Sequence, residues 1–248
     1  MKNGIKCKAI IVAGGKGLRM GSDVKKQFMS VNGELIIVTT VKAISESEYI
    51  DGIIIVTGKD DIEFVEKAVK DYKLFKVEKV VAGGDTRSQS VKNGLDAVCD
   101  CDVVAIHDGV RPMVKRECTD RCIEDAYTYG ASALGVMPKD TIKVTENSKI
   151  VKTLERSKLI AIQTPQCFKT EIIKEAYENF NPDFTDDCAQ VEKLGVKIHV
   201  TEGSYENIKI TTPDDIQIMM MQMNYRHSGV VKFFKNLKFR LYIGKNKK

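Results

Sequence analysis

Three glycines and two cations stand together in the segment AGGKGLRM, at residues 13–20, directly after a short apolar run. Glycine lets backbone N–H groups approach an anion closely, and Lys16 and Arg19 add positive charge, so the segment predicts a phosphate cradle. A glycine turn without a ligand is the alternative. The segment is not a G-x-G-x-x-G dinucleotide loop, because Met20 stands where the last glycine belongs. It is not a Walker A loop either, because no Gly-Lys-Ser/Thr follows at the required spacing.

Two further segments carry groups that suit a nucleotide. Lys25 and Lys26 follow the glycines closely, and a lysine there would return to the same phosphates as a point charge, although paired surface lysines are more often only solvated. The segment GGDTRSQS, at residues 83–90, places two glycines and several small hydroxyls before a helical stretch. These groups suit a base or a sugar edge, whereas Ser88 or Asp85 alone would simply cap the helix.

Charged residues later in the chain suit a second phosphate. In the motif HDGVRP, Asp108 follows an apolar run, where a metal–phosphate complex would lie, and Arg111 suits a phosphate. A local ion pair between these two residues is the alternative. The FTDD segment at 184–187 predicts either helix capping or part of a site. Lys209 stands in an apolar run at 207–213 that predicts a strand, and a lysine there needs an anion.

Together these residues indicate one class of chemistry. The chain offers a phosphate cradle, a carboxylate at the end of a predicted strand and several separate cations. It offers neither a Ser–His–Asp order nor a cysteine–histidine pairing. Phosphoryl or nucleotidyl transfer needs this set, because the catalyst of such a reaction mainly positions its substrates and neutralises charge, with Mg²⁺ assisting.

The elements that must position these residues alternate between strand and helix. Short runs of β-branched residues predict strands over 8–12, 53–56, 77–81 and 103–106. Helical spacing of apolar residues predicts helices over 60–72, 88–98 and 115–129. This alternation predicts an α/β fold with a doubly wound, mostly parallel sheet. Ligand sites of such sheets lie at the carboxyl ends of the strands, where the loops described above begin.

The second half of the chain interrupts this rhythm and then resumes it. Two strands over 141–145 and 149–154, joined by a polar turn, predict a projecting β-hairpin. Helices are predicted near 169–180 and 186–194, with a strand over 196–201 between them and the last helix. That last helix is predicted to begin with Thr212 as N-cap and Pro213 in its first turn.

Composition excludes several classes of protein. Of the 248 residues, 43% are hydrophobic and 29% are charged, which excludes a disordered, collagen-like or coiled-coil chain. No apolar run reaches the 18 residues of a spanning helix, and the first apolar run is too short for a signal peptide, so a cytoplasmic protein is expected. The seven cysteines are odd in number and form no C-x-x-C pair, which predicts reduced thiols packed as small apolar groups.

The formal net charge of +5 is unevenly distributed. Residues 216–248 contain eight Lys and Arg and no acidic residue, which leaves the rest of the chain mildly acidic and argues against a nucleic-acid partner. Within the tail at 224–248, apolar residues recur at helical spacing between lysines. This basic amphipathic pattern predicts weak contact with an anionic membrane surface. A helix that packs on the body, or a solvated chain end, is the alternative.

The motif strings AGGKGLRM, KKQF, GGDTRSQSV, HDGVRP, PKDTIK, TLERSKL, IQTPQCF, FTDD and NIKITTPDD occur in this order. From about residue 7 to about residue 221 the chain thereby resembles the 2-C-methyl-D-erythritol 4-phosphate cytidylyltransferase family of the non-mevalonate isoprenoid pathway. A sister group, the ribitol-5-phosphate cytidylyltransferases of teichoic acid and capsule synthesis, shares many of these strings, but TLERSKL favours the methylerythritol group. The chain departs from the family at Lys25, where proline is usual, and at Gly109 and Asp187.

The resemblance implies a nucleotidyltransferase that converts CTP and 2-C-methyl-D-erythritol 4-phosphate into CDP-methylerythritol and pyrophosphate with Mg²⁺. It implies a Rossmann-like cytidylyltransferase domain over 1–223 and a homodimer, in which a hairpin arm at about 139–160 reaches over the partner. D-ribitol 5-phosphate, which would give CDP-ribitol, is the alternative acceptor. A nucleotide-binding regulator without turnover is the rival of a different class, and a pyrophosphate-release assay with CTP separates it from an enzyme.

By motif match, the resemblance assigns catalysis to Arg19 and Lys26, which would steady the CTP phosphates and the reacting phosphorus. It assigns CTP binding to Ala13, Gly14, Gly15, Gly17, Gly84, Asp85, Ser90 and Asp108, and a metal contact to Asp108. It assigns the alditol phosphate to Arg111, Thr141, Arg156, Thr164, Thr185 and Lys209, with the two arm residues acting on the neighbouring subunit's substrate. The nucleophile is then the substrate's own phosphate, so no enzyme base is needed.

Overall fold

A seven-stranded sheet with helices on both faces forms the body of the molecule. The structure is a computed structural model and describes residues 2–15 and 24–227. Its strands are β1 Cys7–Val12, β2 Ser30–Val31, β3 Glu34–Leu35, β4 Ile50–Thr57, β5 Val77–Ala82, β6 Val103–Asp108, β7 Ala131–Val136, β8 Lys143–Glu146, β9 Lys149–Thr153, β10 Ala161–Lys169 and β11 His199–Glu202. Its α-helices are α1 Ile36–Ser45, α2 Ile62–Asp71, α3 Arg87–Ala97, α4 Arg116–Tyr129, α5 Thr170–Glu178, α6 Asp187–Glu192 and α7 Pro213–His227.

The large sheet has the strand order β11-β7-β10-β6-β1-β4-β5. Its strands pair in parallel except β10, which runs antiparallel to both of its neighbours. The predicted α/β fold with a mostly parallel sheet is therefore confirmed. Because β1 and β6 are adjacent and parallel, the glycine loop that follows β1 lies beside the end of β6, where Asp108 stands.

The apolar runs that predicted the central strands are buried on both faces of the sheet. Ile11 of β1 belongs to a core shared with apolar residues of α1, α2 and α4. Ile10, one residue earlier, points to the opposite face and packs with residues of α3, α5 and α6. On that face α3 approaches β1 closely, because a Cβ on Gly94 would lie only 2.7 Å from Cγ2 of Ile10. This contact requires glycine and fixes α3, which begins at the edge of the site.

The predicted hairpin is present as β8 and β9, which pair with each other in a separate two-stranded sheet. Its two turn residues, Asn147 and Ser148, both have positive φ, of 48° and 62°. This is the backbone of a type I′ turn, whose twist matches that of antiparallel strands. All residues of both strands are exposed. The hairpin thus lies on the surface rather than in the core.

Two expectations about the last part of the chain need comment. The strand predicted around Lys209 is wrong, since residues 207–212 form no strand, and one backbone hydrogen bond, from Ile210 N to Val110 O at 2.9 Å, ties them to the body. Helix α7 begins at Pro213 as predicted and runs past the predicted domain boundary at 223/224. Residues 228–248, on which the membrane-contact prediction depends, lie outside the described residues. None of the helices in the described part of the chain is long and apolar enough to cross a membrane.

Candidate active site

Two cavities meet at the carboxyl ends of β1 and β6. The first has a volume of about 340 Å³ and lies between the glycine loop and the start of α3. The second has a volume of about 220 Å³ and lies between β10 and the segment before α6. Arg87, Asp108 and Lys209 line both cavities, so they form a shared wall. The sequence predicted a site at this edge of the sheet, and the cavities lie there.

The glycine loop forms one side of the first cavity, where Gly14, Gly15 and Lys26 line it. Gln27 is buried and fixes the backbone of the loop, since its Nε2 donates to Ala13 O at 2.7 Å and to Gly15 O at 3.1 Å. The N–H of Ala13 donates to Val56 O at 2.7 Å, so the amide that the resemblance offered to the nucleotide is instead paired within the sheet. Gly17 and Arg19 lie outside the described residues.

The turn before α3 forms the opposite side of the first cavity, with Gly84, Asp85 and Ser90 in its lining. The hydroxyl of Ser90 accepts from Gly84 N at 3.1 Å and donates to Thr86 O at 2.9 Å. Ser90 therefore shapes the turn, while the exposed Gly84 and Asp85 face the cavity. Thr86 is the residue that caps α3, by accepting from Gln89 N at 3.0 Å. The alternative interpretation, that Ser88 or Asp85 caps this helix, is wrong.

Three cations of the described residues surround the carboxylate of Asp108 in the shared wall. Lys209 Nζ lies 2.9 Å from Oδ2, Arg111 Nε lies 3.4 Å from the same oxygen, and Arg87 Nε lies 3.5 Å from Oδ1. Burial raises the pKa of this carboxyl group, but the three cations outweigh burial and hold the pKa well below its usual range. The local ion pair between Asp108 and Arg111, which was the alternative interpretation of this motif, exists as part of a larger cluster.

Arg87 connects this cluster to a second carboxylate, which is completely buried. Its Nη1 and Nη2 donate to Oδ1 and Oδ2 of Asp187 at 3.0 and 2.7 Å. Tyr177 donates its hydroxyl hydrogen to the same carboxylate at 2.6 Å. Sequence reasoning assigned no role to Arg87 and considered Asp187 only within the FTDD segment, as helix capping or part of a site. The pairing joins residues 100 positions apart, although both residues stand within motif strings of the family, GGDTRSQSV and FTDD.

His107 lies directly behind Asp108 and is completely buried. Thr164 Oγ1 accepts from Asp108 N at 3.0 Å, which leaves its hydrogen for His107 Nδ1, also at 3.0 Å. The other ring nitrogen of His107 lies 3.1 Å from Arg111 O, an acceptor, so the neutral ring carries its proton on Nε2. Burial lowers the pKa of His107 to about 4. The imidazole therefore positions Asp108 and Arg111 and is not placed to act as a base toward a substrate.

The second cavity collects most of the residues predicted to hold the alditol phosphate. Arg111, Thr164, Thr185 and Lys209 all line it. Asn207, which sequence reasoning did not select, holds this group together. Its side-chain Nδ2 donates to Thr164 O at 2.8 Å, and its backbone carbonyl accepts from Arg111 Nη1 at 2.8 Å. The geometry provides a polar cavity with cations on the side of the shared wall.

The two predicted arm residues lie elsewhere. Neither Thr141 nor Arg156 lines either cavity, and both are exposed. Arg156 donates from Nη1 to Lys139 O at 2.8 Å, at the base of the arm. Within one chain the structure therefore separates these two residues from the cavities.

The described residues do not fit a metal ion held by the protein alone. They contain no group of three or more His, Cys, Asp or Glu side chains that could bind one. The carboxylates in the lining of the first cavity are Asp85 and Asp108, and both oxygens of Asp108 face cations. A divalent cation in this site would need most of its ligands from the phosphates of a substrate.

Comparison with known proteins agrees with this geometry. Residues 7–224 match the family model described as 2-C-methyl-D-erythritol 4-phosphate cytidylyltransferase. The curated enzyme of that name from Clostridium perfringens is 45% identical over 212 residues, which are 84% of this chain and 94% of the relative. The enzyme of the same name from Clostridium novyi is 46% identical over 217 residues, which are 84% and 92% of the two chains.

Solved structures give the same result for the fold. The crystal structure of 4-diphosphocytidyl-2C-methyl-D-erythritol synthase from Anaerococcus prevotii superposes with a TM-score of 0.77 at 31% identity, and the match covers 89% of this chain and 96% of that one. The enzyme from Francisella tularensis superposes with a TM-score of 0.73 at 27% identity, and the match covers 88% and 99% of the two chains.

Proposed function

The chain belongs to the 2-C-methyl-D-erythritol 4-phosphate cytidylyltransferase family, and we propose that the two joined cavities are the site at which it transfers CMP from CTP to 2-C-methyl-D-erythritol 4-phosphate. The chain is a nucleotidyltransferase of isoprenoid synthesis, and its products are CDP-methylerythritol and pyrophosphate. The curated relatives carry the methylerythritol name, which decides between the two acceptors that the motif strings left open. The observation that carries the placement is the shared wall, since it brings one cluster of cations to both cavities.

CTP fits the first cavity. Its triphosphate would lie along the backbone of Gly14 and Gly15, with Lys26 beside it, and by motif match Arg19 and Gly17 would complete this cradle. The cytosine and ribose would face Gly84 and Asp85, in the turn that Ser90 fixes. This placement directs the α-phosphorus toward the shared wall.

The acceptor fits the second cavity, where Arg111, Thr164 and Thr185 surround its polar part. An oxygen of its phosphate attacks the α-phosphorus of CTP, a new P–O bond forms, and the bond to the bridging oxygen of pyrophosphate breaks. The attacking oxygen is already ionised, so no side chain has to remove a proton. Lys209, in the wall between the cavities, would neutralise charge on the transferred group, which is the main contribution a protein makes to this chemistry.

Magnesium would enter with the nucleotide. We propose that its ligands are mainly phosphate oxygens of CTP, because Asp108 is held by three cations. The ion, when bound, would neutralise the charge of the leaving pyrophosphate. The residues of the chain itself bind and orient both substrates around it.

We further propose a homodimer in the cytoplasm in which each arm completes the partner's second cavity. The arm carries exposed apolar side chains, such as Ile150 at 66% and Val151 at 52% of full exposure. An apolar surface of this kind suits a protein interface. Thr141 and Arg156 line neither of the two cavities described above, and a partner's second cavity is where the resemblance places them.

Pyrophosphate release tests this function directly. The enzyme is incubated with CTP, Mg²⁺ and either 2-C-methyl-D-erythritol 4-phosphate or D-ribitol 5-phosphate, and kcat/KM is compared. We expect the methylerythritol substrate to be preferred by about 10²-fold or more, because buried polar groups left unpaired by the wrong polyol penalise its transition state. Equal rates, or preference for ribitol 5-phosphate, would overturn the assignment of the acceptor. No release with either would overturn the function.

A further inference from the structure

We propose that Arg87 is a positioning residue for the transfer: held by Asp187, it fixes the Asp108 carboxylate, and through it Lys209, in the wall that the two cavities share. This inference rests on the proposed function, because it concerns a residue that acts on the same site. The family resemblance gave Arg87 no role, and the inference comes from its contacts.

The first observation is that the guanidinium of Arg87 is rigidly held. Both terminal nitrogens engage one carboxylate, that of Asp187, in the paired geometry that fixes an arginine in position as well as in charge. Asp187 itself is completely buried and takes a further hydrogen bond from Tyr177 at 2.6 Å. Its backbone N–H donates to Gln166 Oε1 at 3.0 Å, at the start of α6. The guanidinium group of Arg87 is therefore held in place by residues of α5, α6 and β10.

The second observation is where the remaining nitrogen points. Arg87 Nε faces Oδ1 of Asp108 at 3.5 Å, whereas Lys209 and Arg111 share the other oxygen, Oδ2. The two oxygens of Asp108 thus have different cationic partners on different elements. Among the described residues Arg87 is the cation that faces Oδ1, so without it the carboxylate would be able to rotate toward the two other cations.

The third observation is how Lys209 is placed. It stands in a segment without strand structure, its side chain is 39% exposed, and its ammonium group lies 2.9 Å from Asp108. The position of this ammonium group therefore depends on the orientation of Asp108. Since a displacement of about 1 Å in a reacting group can lower a rate about 10²-fold, a loose Asp108 would be costly for the reaction.

Positioning accounts for these contacts better than direct phosphate binding does. Arginine recognises a phosphate with two parallel N–H groups, and in Arg87 the Nη1 and Nη2 groups that would supply them are bonded to Asp187. The charge of Asp187 also offsets that of Arg87 within the wall. Arg87 therefore acts on the substrates through Asp108 and Lys209.

Two variants test the inference, and each is compared with the wild-type enzyme. Arg87→Lys keeps the positive charge but removes the two N–H groups that bind Asp187 side by side. The double variant Arg87→Gln, Asp187→Asn removes both charges together, so that no buried charge is left unpaired. For each we measure kcat, KM for CTP and for 2-C-methyl-D-erythritol 4-phosphate, and the thermal unfolding midpoint. Arg116→Gln is the matched control, because Arg116 is also held by carboxylates, Glu48 and Asp120, but stands at the start of α4 and lines neither cavity.

We expect kcat to fall about 10²-fold in both variants while KM for CTP changes less than about threefold, and we expect the Arg116 control to keep wild-type values. A double variant, or an Arg87→Lys variant, that turns over like wild type would show that the pair serves only the fold and would overturn the inference. If the double variant does not fold, the Arg87→Lys result alone decides. Absence of turnover in the wild-type enzyme would instead overturn the proposed function.

Discussion

Asp108 of the shared wall, and His107 and Asp187 behind it, are buried and have partners on α3, α5 and β10 and in the segments around Arg111 and Lys209. The residues of β8 and β9, by contrast, are exposed and pair with one another. The wall obtains its geometry within the chain, because burial makes each unpaired polar group costly and each pairing specific. The arm obtains only its hairpin shape within the chain. Its side chains have their expected targets on another molecule. A single chain thus positions the buried residues itself, whereas in the proposed homodimer the arm residues would be positioned against the partner.

The largest effect should come from the wall. Lys209→Ala removes the ammonium group between the two cavities, and we expect kcat/KM to fall by roughly 10²- to 10³-fold, the loss typical for one preorganised charge in a transition state. Pyrophosphate release measures it. Lys115→Ala is the control, since Lys115 pairs with Glu206 at 2.6 Å and lines neither cavity. A loss of less than threefold would remove Lys209 from the mechanism.

Low pH should also destabilise the native state, through His107 behind the wall. The pKa of His107 is lowered to about 4 in the native state, against about 6.5 in the unfolded chain, so the unfolded state binds more protons between these values. Native stability contributed by the neutral ring is complete above about pH 6.5 and is lost as the pH falls toward 4, by about 3 kcal/mol. Denaturant unfolding at pH 7 and pH 4 measures this loss. In His107→Gln the pH-dependent loss should be smaller by about that amount, and an equal loss in both proteins would contradict the assigned neutral ring.

The arm should contribute less, and across the dimer. Arg156→Ala should raise KM for 2-C-methyl-D-erythritol 4-phosphate by about tenfold and leave KM for CTP unchanged, because one charge-assisted contact to the acceptor phosphate is lost. Lys158→Ala is the control, since Lys158 pairs locally with Glu155 at 2.7 Å.

Mixing two defective chains then tests whether the arm reaches the partner. A heterodimer of the Arg156→Ala and Lys209→Ala chains has one site with an intact wall and an intact arm. Random exchange should therefore restore about a quarter of wild-type activity at low acceptor concentration, because half of the dimers are mixed and one of their two sites is complete. No restoration after verified exchange would mean that arm and cavity of the same chain work together.

The smallest effect on the fold should come from the exposed apolar face of the arm. Ile150→Lys should change the unfolding free energy of the monomer by less than about 0.5 kcal/mol, since the side chain is largely exposed. It should nevertheless shift the protein toward monomer in sedimentation velocity. Phe75→Lys, at an exposed position beside the other edge of the sheet, should leave the oligomeric state unchanged. Equal sedimentation of both variants and wild type would argue against an interface at the arm.

The sequence predicted the elements better than their long-range contacts. Continuous β-branched runs indicated β1, β4 and β6, because strands buried on both faces need such runs. The edge strand β5 was also predicted from its valines, although it is only partly buried. The antiparallel insertion of β10 between β6 and β7 left no local pattern, since register and strand order depend on packing across the sheet. The pairing of Arg87 with Asp187 was likewise invisible, because a charged residue after a strand and another at a helix start are equally consistent with capping or solvation. Lys209 was recognised from its apolar neighbours, but its segment is held by separate hydrogen bonds with Val110, Arg111 and Thr164 rather than by the regular bonds of a strand pair.

A wall common to two cavities has a thermodynamic consequence. Any molecule that binds in one cavity and rotates the Asp108 carboxylate changes the positions of the cations that face the other cavity. Reciprocity then requires that the acceptor change the dissociation constant of the nucleotide by the same factor as the nucleotide changes that of the acceptor. Cooperative loading would thus arise inside a single subunit, without any change of quaternary arrangement.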